Sequence, residues 1–378
     1  MRHANKDVKS RIFFFIGTVA ELIKLFPIMI ELKNMAVPYE IISSGQNNIT
    51  TSEILKIFEL KDVHITLSNG VENKSAIRLF FWFLKTYRNS RNRLLPEISE
   101  GDMVIIHGDT VSTVMGALLS RKLKARLIHI EAGLRSYNYL NPFPEEIDRV
   151  LATRFVNVAF CPNGWALRNM AKENGITKYS TEYNTLIDSL RYGLSVAVKT
   201  KLINRLKGEK YFIFVMHRNE NLADKPMVES ITRIVEDEAI KMKCLFILHP
   251  VTKAIFDRYG ILDRIHSNVN IIATDRLGYC EMVNILDNSQ YILTDGGSNQ
   301  EECFYLGIPC CILRKKTERI EGIGENAILS GNNLDSIKQF IENYHSYKRN
   351  KVVPTVIPSK YIANKLAEYQ ITDHSDLP

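Results

Sequence analysis

Short apolar runs alternate with amphipathic segments along nearly all of this 378-residue chain, and that alternation restricts the fold more than any single residue does. Residues 12–16 form an apolar run that stops at Gly17, after which Leu22, Leu25, Phe26, Met29 and Ile30 recur at helical spacing over 20–34. Further strand-like runs fall near 39–42, 62–67, 103–106 and 126–130, with helices near 51–58, 75–90 and 111–122 between them. The pattern restarts with strands at 212–215, 244–248, 270–273, 291–294 and 310–313, and helices at 226–240, 279–287 and 298–306. Uninterrupted apolar strands set between helices indicate parallel sheets covered on both faces, so the fold class is α/β with two Rossmann-like domains. The patterning predicts a first domain over 1–182, a second over 183–358 and a terminal segment 359–378. Packing of the helix from Ser359 back onto the first domain is one option that periodicity does not decide. Two such sheets imply a ligand at the carboxyl ends of their strands, between the lobes.

Charge and cysteine usage narrow the partners. The net charge of +7 suits an anionic ligand, but the cations are interleaved with acids and form no aromatic-spaced basic run, which favours a phosphate-bearing small molecule over nucleic acid. The six cysteines follow neither a metal-ligand spacing nor a disulfide framework, so reduced thiols and no metal are expected. Glu21 and Lys24 interrupt the apolar stretch behind the basic N-terminus, which argues against a signal peptide or a membrane span, and a cytoplasmic protein is expected.

Three acidic residues stand in a suggestive series. HisGlyAspThr at 107–110, GluAlaGlyLeuArg at 131–135 and ProPheProGluGlu at 142–146 place Asp109, Glu131 and Glu145 at the predicted ends of consecutive strand-like segments. Solvated surface carboxylates are the plainer alternative; convergence on one ligand is the more economical one. In AspGlyGlySerAsnGlnGluGlu at 295–302, Gly296, Gly297 and Ser298 open a helix in a way that lets backbone amides approach a phosphate. An ordinary turn with an N-cap at Ser298 competes with that reading. Glu302, one turn into the same helix, is suited to accept the hydroxyls of a ribose. His217 ends the first strand of the second domain with Arg218 beside it, and His249 ends the next with a weaker case. The GxGxxG signature of a bound dinucleotide does not follow the first strand, where only Gly17 is available.

Taken in order, these motifs, with ProPheProGluGluIleAspArg at 142–149, HisArgAsnGluAsn at 217–221 and ThrGluArg at 317–319, resemble the UDP-N-acetylglucosamine 2-epimerases from Gly17 to about Gly331. The resemblance implies a GT-B fold, commonly homodimeric, whose two domains face a cleft and which acts on a UDP-sugar without a cofactor. Family chemistry eliminates UDP across C1–C2 to give 2-acetamidoglucal and then adds it back after C2 is protonated from the other face. By position Asp109 and Glu131 match the acid/base carboxylates, Glu145 a further active-site carboxylate, His217 the histidine near the leaving diphosphate and Lys24 the lysine after the first glycine turn. Gly296, Gly297 and Ser298 match the phosphate turn, Glu302 the ribose acceptor, Arg319 an arginine near the substrate and Met282 the apolar cover on uracil. Arg135 and Arg149 fit the binding pattern or serve structure.

The departures concern the nucleotide. The family's GlyThrArgProGlu is GlyThrValAlaGlu here, so Val19 replaces a cation, and GlnHis is Gln46–Asn47. The family's AspSerGlyGly is rearranged to AspGlyGlySer, and the glycine before AsnThr is Tyr183. Losing one donor to a diphosphate costs about 1.5–3 kcal/mol, so another group replaces it or the sugar nucleotide differs. A GT-B glycosyltransferase, a hydrolysing epimerase that releases free N-acetylmannosamine and UDP, and a silent sugar-nucleotide binder are the competing functions.

Overall fold

The computed structural model describes residues 10–69, 76–139, 144–317 and 319–371. It divides into two compact units, one built from 1–189 with 354–378 and the other from 190–353. In the first, seven parallel strands, β1 (Ile12–Ile16), β2 (Tyr39–Ser43), β3 (Val63–Thr66), β4 (Met103–His107), β5 (Arg126–Ile130), β6 (Val158–Cys161) and β7 (Thr177–Ser180), lie in the order β3-β2-β1-β4-β5-β6-β7. In the second, six parallel strands, β8 (Tyr211–Val215), β9 (Lys243–Leu248), β10 (Ile271–Asp275), β11 (Ile292–Thr294), β12 (Cys310–Ile312) and β13 (Ala327–Leu329), lie in the order β10-β9-β8-β11-β12-β13. The two-domain α/β class expected from the alternation is therefore present.

Burial explains why the strands are apolar throughout. All five residues of β1, β4 and β8 are buried, because helices cover both faces of each sheet. Phe13, Phe15, Val104, Ile106 and Leu127 anchor the core of the first domain, and Phe212, Phe214, Phe246 and Tyr291 that of the second. In each sheet the winding direction reverses once, between β1 and β4 and between β8 and β11. Connections leave a reversal point in opposite directions, which opens a crevice at the carboxyl ends of those strands.

The chain after β1 is held tightly. Helix Val19–Asn34 starts with a capping box in which Thr18 accepts from the Glu21 amide and Glu21 reaches back to the Thr18 amide. A Cβ on Gly17 would sit 2.1 Å from Ser112 Oγ, so only glycine lets the turn lie against helix Val111–Leu123. Helix Pro358–Ile371 packs on helix Val19–Asn34, with Ile362, Ala363, Leu366 and Tyr369 buried.

Several elements differ from the expected pattern. Glu145 does not end a strand: it opens helix Glu145–Thr153, a segment whose prolines and paired acids gave no clear apolar period. Ser298 is not an N-cap, since helix Gly297–Leu306 already begins one residue earlier and Gly296 holds the cap position. Strands β6, β7 and β13 are four, four and three residues long, too short to stand out as apolar runs in the sequence.

Candidate active site

The first domain gathers its ionisable groups at the β1/β4 reversal. Glu21 is buried beneath the turn and accepts from the amides of Gly17 at 2.6 Å and Thr18 at 2.8 Å and from Thr110 Oγ at 2.6 Å. Burial raises its pKa despite those donors, and the same hydrogen bonds tether the β1 and β4 loops to each other. Gln46 joins them by accepting from the hydroxyl of Ser112 at 2.6 Å.

Glu131 follows β5 with φ +62°, a left-handed backbone that a non-glycine residue adopts at a cost of about 1–3 kcal/mol. Its carboxylate is buried and receives the Lys24 ammonium and the Asn184 amide on Oε2, with His107 Nε2 at 3.4 Å. Lys24 is itself only 6% exposed, so two opposite charges sit side by side away from water. Thr185 steadies the lysine's helix by donating to the Lys24 carbonyl at 2.6 Å. The histidine on β5, His129, is buried and pushed down to about 4 by desolvation, so it is neutral; its Nε2 meets the Gly108 carbonyl at 2.8 Å.

Asp109 stands in the β4 turn and is bound by Arg149 at 2.5 Å. Arg149 also reaches Glu146 at 3.3 Å, and Glu146 takes Arg135 at 2.6 Å and the Ser136 amide at 2.8 Å. Burial would raise Glu146, but the Ser136 amide and the two arginines outweigh it and hold the carboxyl below its usual range. Arg135 and Arg149 are thus the cations of a carboxylate network, with Glu145 and Asp148 on the same helix.

The second domain has its own cluster at the β8/β11 reversal. Asp295, fully buried after β11, accepts from the His217 amide at 3.0 Å, the Arg218 amide at 2.9 Å and the Asn221 side chain at 3.1 Å, with His217 Nδ1 also at 3.0 Å. Burial pushes its carboxyl up, but His217 and these amides pull it below its ordinary value. The His249 ring stacks on His217 with centroids 4.4 Å apart, and desolvation lowers it to about 4, with His217 and Arg276 adding to the shift.

Gly296 follows directly; a Cβ there would meet Asn299 Oδ1 at 2.7 Å and His217 Cε1 at 3.3 Å. Its amide donates to Thr294 Oγ at 2.9 Å, while Gly297 and the exposed Ser298 form the first turn of helix Gly297–Leu306. Glu302, one turn later, accepts from Asn299 at 3.0 Å. Arg319 pairs with Glu301 at 2.5 Å, and Met282 lies half-buried on helix Tyr279–Asp287.

Reasoning from sequence did not single out Asn184, His107, Glu146 or Asp295 as site members. Asp295 carried a signal, since it starts the glycine turn; the contact between Asn184 and Glu131 spans 53 residues and had none. Among the described residues no cluster of three or more histidine, cysteine or acidic side chains is arranged for a metal, and no helix is long and apolar enough to cross a membrane.

Fold and site define a two-domain parallel α/β protein of the GT-B type, with paired carboxylates at one reversal point and a glycine-opened helix start with a histidine at the other. Residues 31–368 match the UDP-N-acetylglucosamine 2-epimerase family, and the chain belongs to that family. It is 31% identical over 358 residues to a UDP-N-acetylglucosamine 2-epimerase of Methanocaldococcus jannaschii, covering 90% of this chain and 93% of the relative. A UDP-2,3-diacetamido-2,3-dideoxy-D-glucuronate 2-epimerase of Pseudomonas aeruginosa is 32% identical over 246 residues, 62% of this chain and 67% of the relative. The crystal structure of the Methanocaldococcus jannaschii UDP-GlcNAc 2-epimerase with UDP-GlcNAc and UDP superposes with a TM-score of 0.81 at 28% identity, covering 95% of this chain and 99% of the other.

Proposed function

We propose that the chain interconverts UDP-N-acetylglucosamine and UDP-N-acetylmannosamine by eliminating and re-adding UDP. The observation that carries the reading is the buried Lys24–Glu131 pair, next to the β4 turn that presents Asp109, in a chain belonging to this epimerase family. The C1–O bond breaks first and its electron pair leaves with UDP, giving an oxocarbenium-like centre that a neighbouring carboxylate stabilises. One of Asp109 and Glu131 then takes the C2 proton, forming the C1=C2 bond of 2-acetamidoglucal. The other returns a proton to the opposite face as UDP re-adds at C1. Lys24 pairs with Glu131 in its buried setting, and Glu145 adds a further carboxylate near the reacting carbons.

In this reading the second domain holds the leaving group. The amides of Gly297 and Ser298 at the start of helix Gly297–Leu306 receive the diphosphate, beside Gly296, whose own amide is held by Thr294. His217, oriented by Asp295, protonates or pairs with its oxygen. Glu302 takes the ribose hydroxyls, Met282 covers the uracil and Arg319 lies near the substrate. The protein works in the cytoplasm as a homodimer and supplies a precursor for surface polysaccharide, with no redox cofactor.

The similarity to a diacetamido-glucuronate 2-epimerase favours one variant of this reading, a UDP-2-acetamido sugar altered elsewhere on the ring, and the loss of an arginine at Val19 points the same way. Pure protein incubated with each UDP-sugar in deuterium oxide is expected to place deuterium at C2 and yield the C2 epimer. Absence of both exchange and epimer for all of them defeats the proposal, and stoichiometric free UDP with free sugar would indicate the hydrolysing reaction instead.

A further inference from the structure

Asp148 takes no part in the chemistry above, yet it sits within the carboxylate network. It is 6% exposed, and its Oδ2 is buried without a hydrogen-bond partner among the described residues. Glu145 lies three residues earlier and therefore on the same face of helix Glu145–Thr153. Asp109 faces it from the β4 turn, and Arg149 is the one cation of its own helix that acts on it. Helix Val111–Leu123, which packs against this helix, contributes no acid, and its cations Arg121 and Lys122 fall in its last turn.

Among the described residues, Asp148 has no cation of its own. Arg149 is already committed to Asp109 and Glu146, and Arg135 to Glu146. The helix start favours anions, but Asp148 shares that first turn with Glu145 and Glu146, three acids on one helix end. Removing a carboxylate from water without a cation or donor is costly, and such a group keeps its proton instead.

We propose that Asp148 is a positioning residue held as a neutral acid, whose proton leaves the Arg149 guanidinium to Asp109 and Glu146 and whose ionisation disarms the site. Burial first, then Asp109 and Glu145, push its carboxyl from 3.8 up to about 8. Below that pH Arg149 orients Asp109; above it a fresh anion competes for the same guanidinium and repels the carboxylate that must exchange a proton with C2. The inference rests on the epimerase reading for its kinetic consequence, but not for the titration itself.

The sign of the stability effect follows from linkage. The folded chain keeps a proton that the unfolded chain releases near 3.8, so this contribution is complete below that pH, declines as pH rises toward about 8 and is gone above it. The neutral isostere Asp148→Asn removes the dependence.

The test uses the full-length protein and two readouts. Stability of wild type and Asp148→Asn is measured by denaturant unfolding from pH 4 to 9, and the variant is expected to gain on wild type steadily until about pH 8. A gap that does not change with pH overturns the proposal. In the epimerisation assay, a group titrating near 8 makes wild-type kcat fall about tenfold between pH 7 and 9, and Asp148→Asn is expected to hold that ratio within about twofold. An alkaline limb that survives unchanged in the variant, or is missing from wild type, also overturns it. If no UDP-sugar is turned over at all, the functional reading fails while the unfolding series still decides the protonation of Asp148.

Discussion

At the scale of single residues, the buried pair of Lys24 and Glu131 makes the sharpest demand. Each is less than a tenth exposed, so removing one partner takes a buried counter-charge from the other. Lys24→Met is expected to lower stability by about 3 kcal/mol in denaturant unfolding and to abolish measurable epimerisation. Adding Glu131→Gln should restore much of the stability and none of the activity, and an additive loss in the double variant would show that the two do not act as a pair. The sequence displayed both residues within motifs, but not their partnership, because 107 residues separate them and periodicity carries no information about which strand ends converge. Val19 was legible in the same way: its identity could be read, whereas the group that takes over the lost contact could not.

At the scale of elements, the loop following β11 does the most with the fewest residues. Asp295 ties it to the end of β8, and the missing side chain of Gly296 lets the turn lie close against Asn299 and the His217 ring. Gly296→Ala puts a methyl against Asn299 and the His217 ring while its backbone, at φ −85°, tolerates alanine. UDP binding measured by calorimetry should therefore weaken about tenfold or more, with unfolding shifted by about 1 kcal/mol or less; unchanged affinity would remove this turn from the diphosphate site. Asp295 adds a dependence on pH. Its folded carboxyl lies below the ordinary 3.8, so the stability it contributes is present above that value and is lost as the pH falls through the folded one. Asp295→Asn should then flatten the acid side of the stability curve and weaken UDP binding by misorienting His217. The glycine turn was readable because glycine before a helix has a physical use; helix Glu145–Thr153 was missed because its start is made of charge and proline, which mark loops as readily as helix N-termini.

On the scale of the whole molecule, the alternation of runs was enough to predict two parallel sheets, since a strand covered on both faces has to be apolar along its length. Strand order was not readable, because it depends on which way each connection turns. The division of the chain was harder still: the first unit is discontinuous, with 354–378 returning to join 1–189. That return has a measurable consequence. Helix Pro358–Ile371 buries Ile362, Ala363, Leu366 and Tyr369, its Tyr369 hydroxyl meets that of Tyr179 at 2.9 Å, and Tyr361 lies edge-on to Phe160. The Ser359 amide also donates to Asp188 at 2.8 Å. Burial of an Ile, Leu or Tyr side chain contributes about 1.5–3 kcal/mol, so losing this helix costs on the order of 5 kcal/mol, comparable with the whole stability of a typical domain. A chain ended at Val353 should have lost the first domain's cooperative unfolding transition and its epimerase activity together. The second domain contains all of 190–353 and keeps its own core, so its amides should remain protected in hydrogen exchange while those of β1, β4 and β5 exchange freely. Intact protection of those three strands in the shortened chain would mean that the returning helix is dispensable to the domain that carries Asp109 and Glu131.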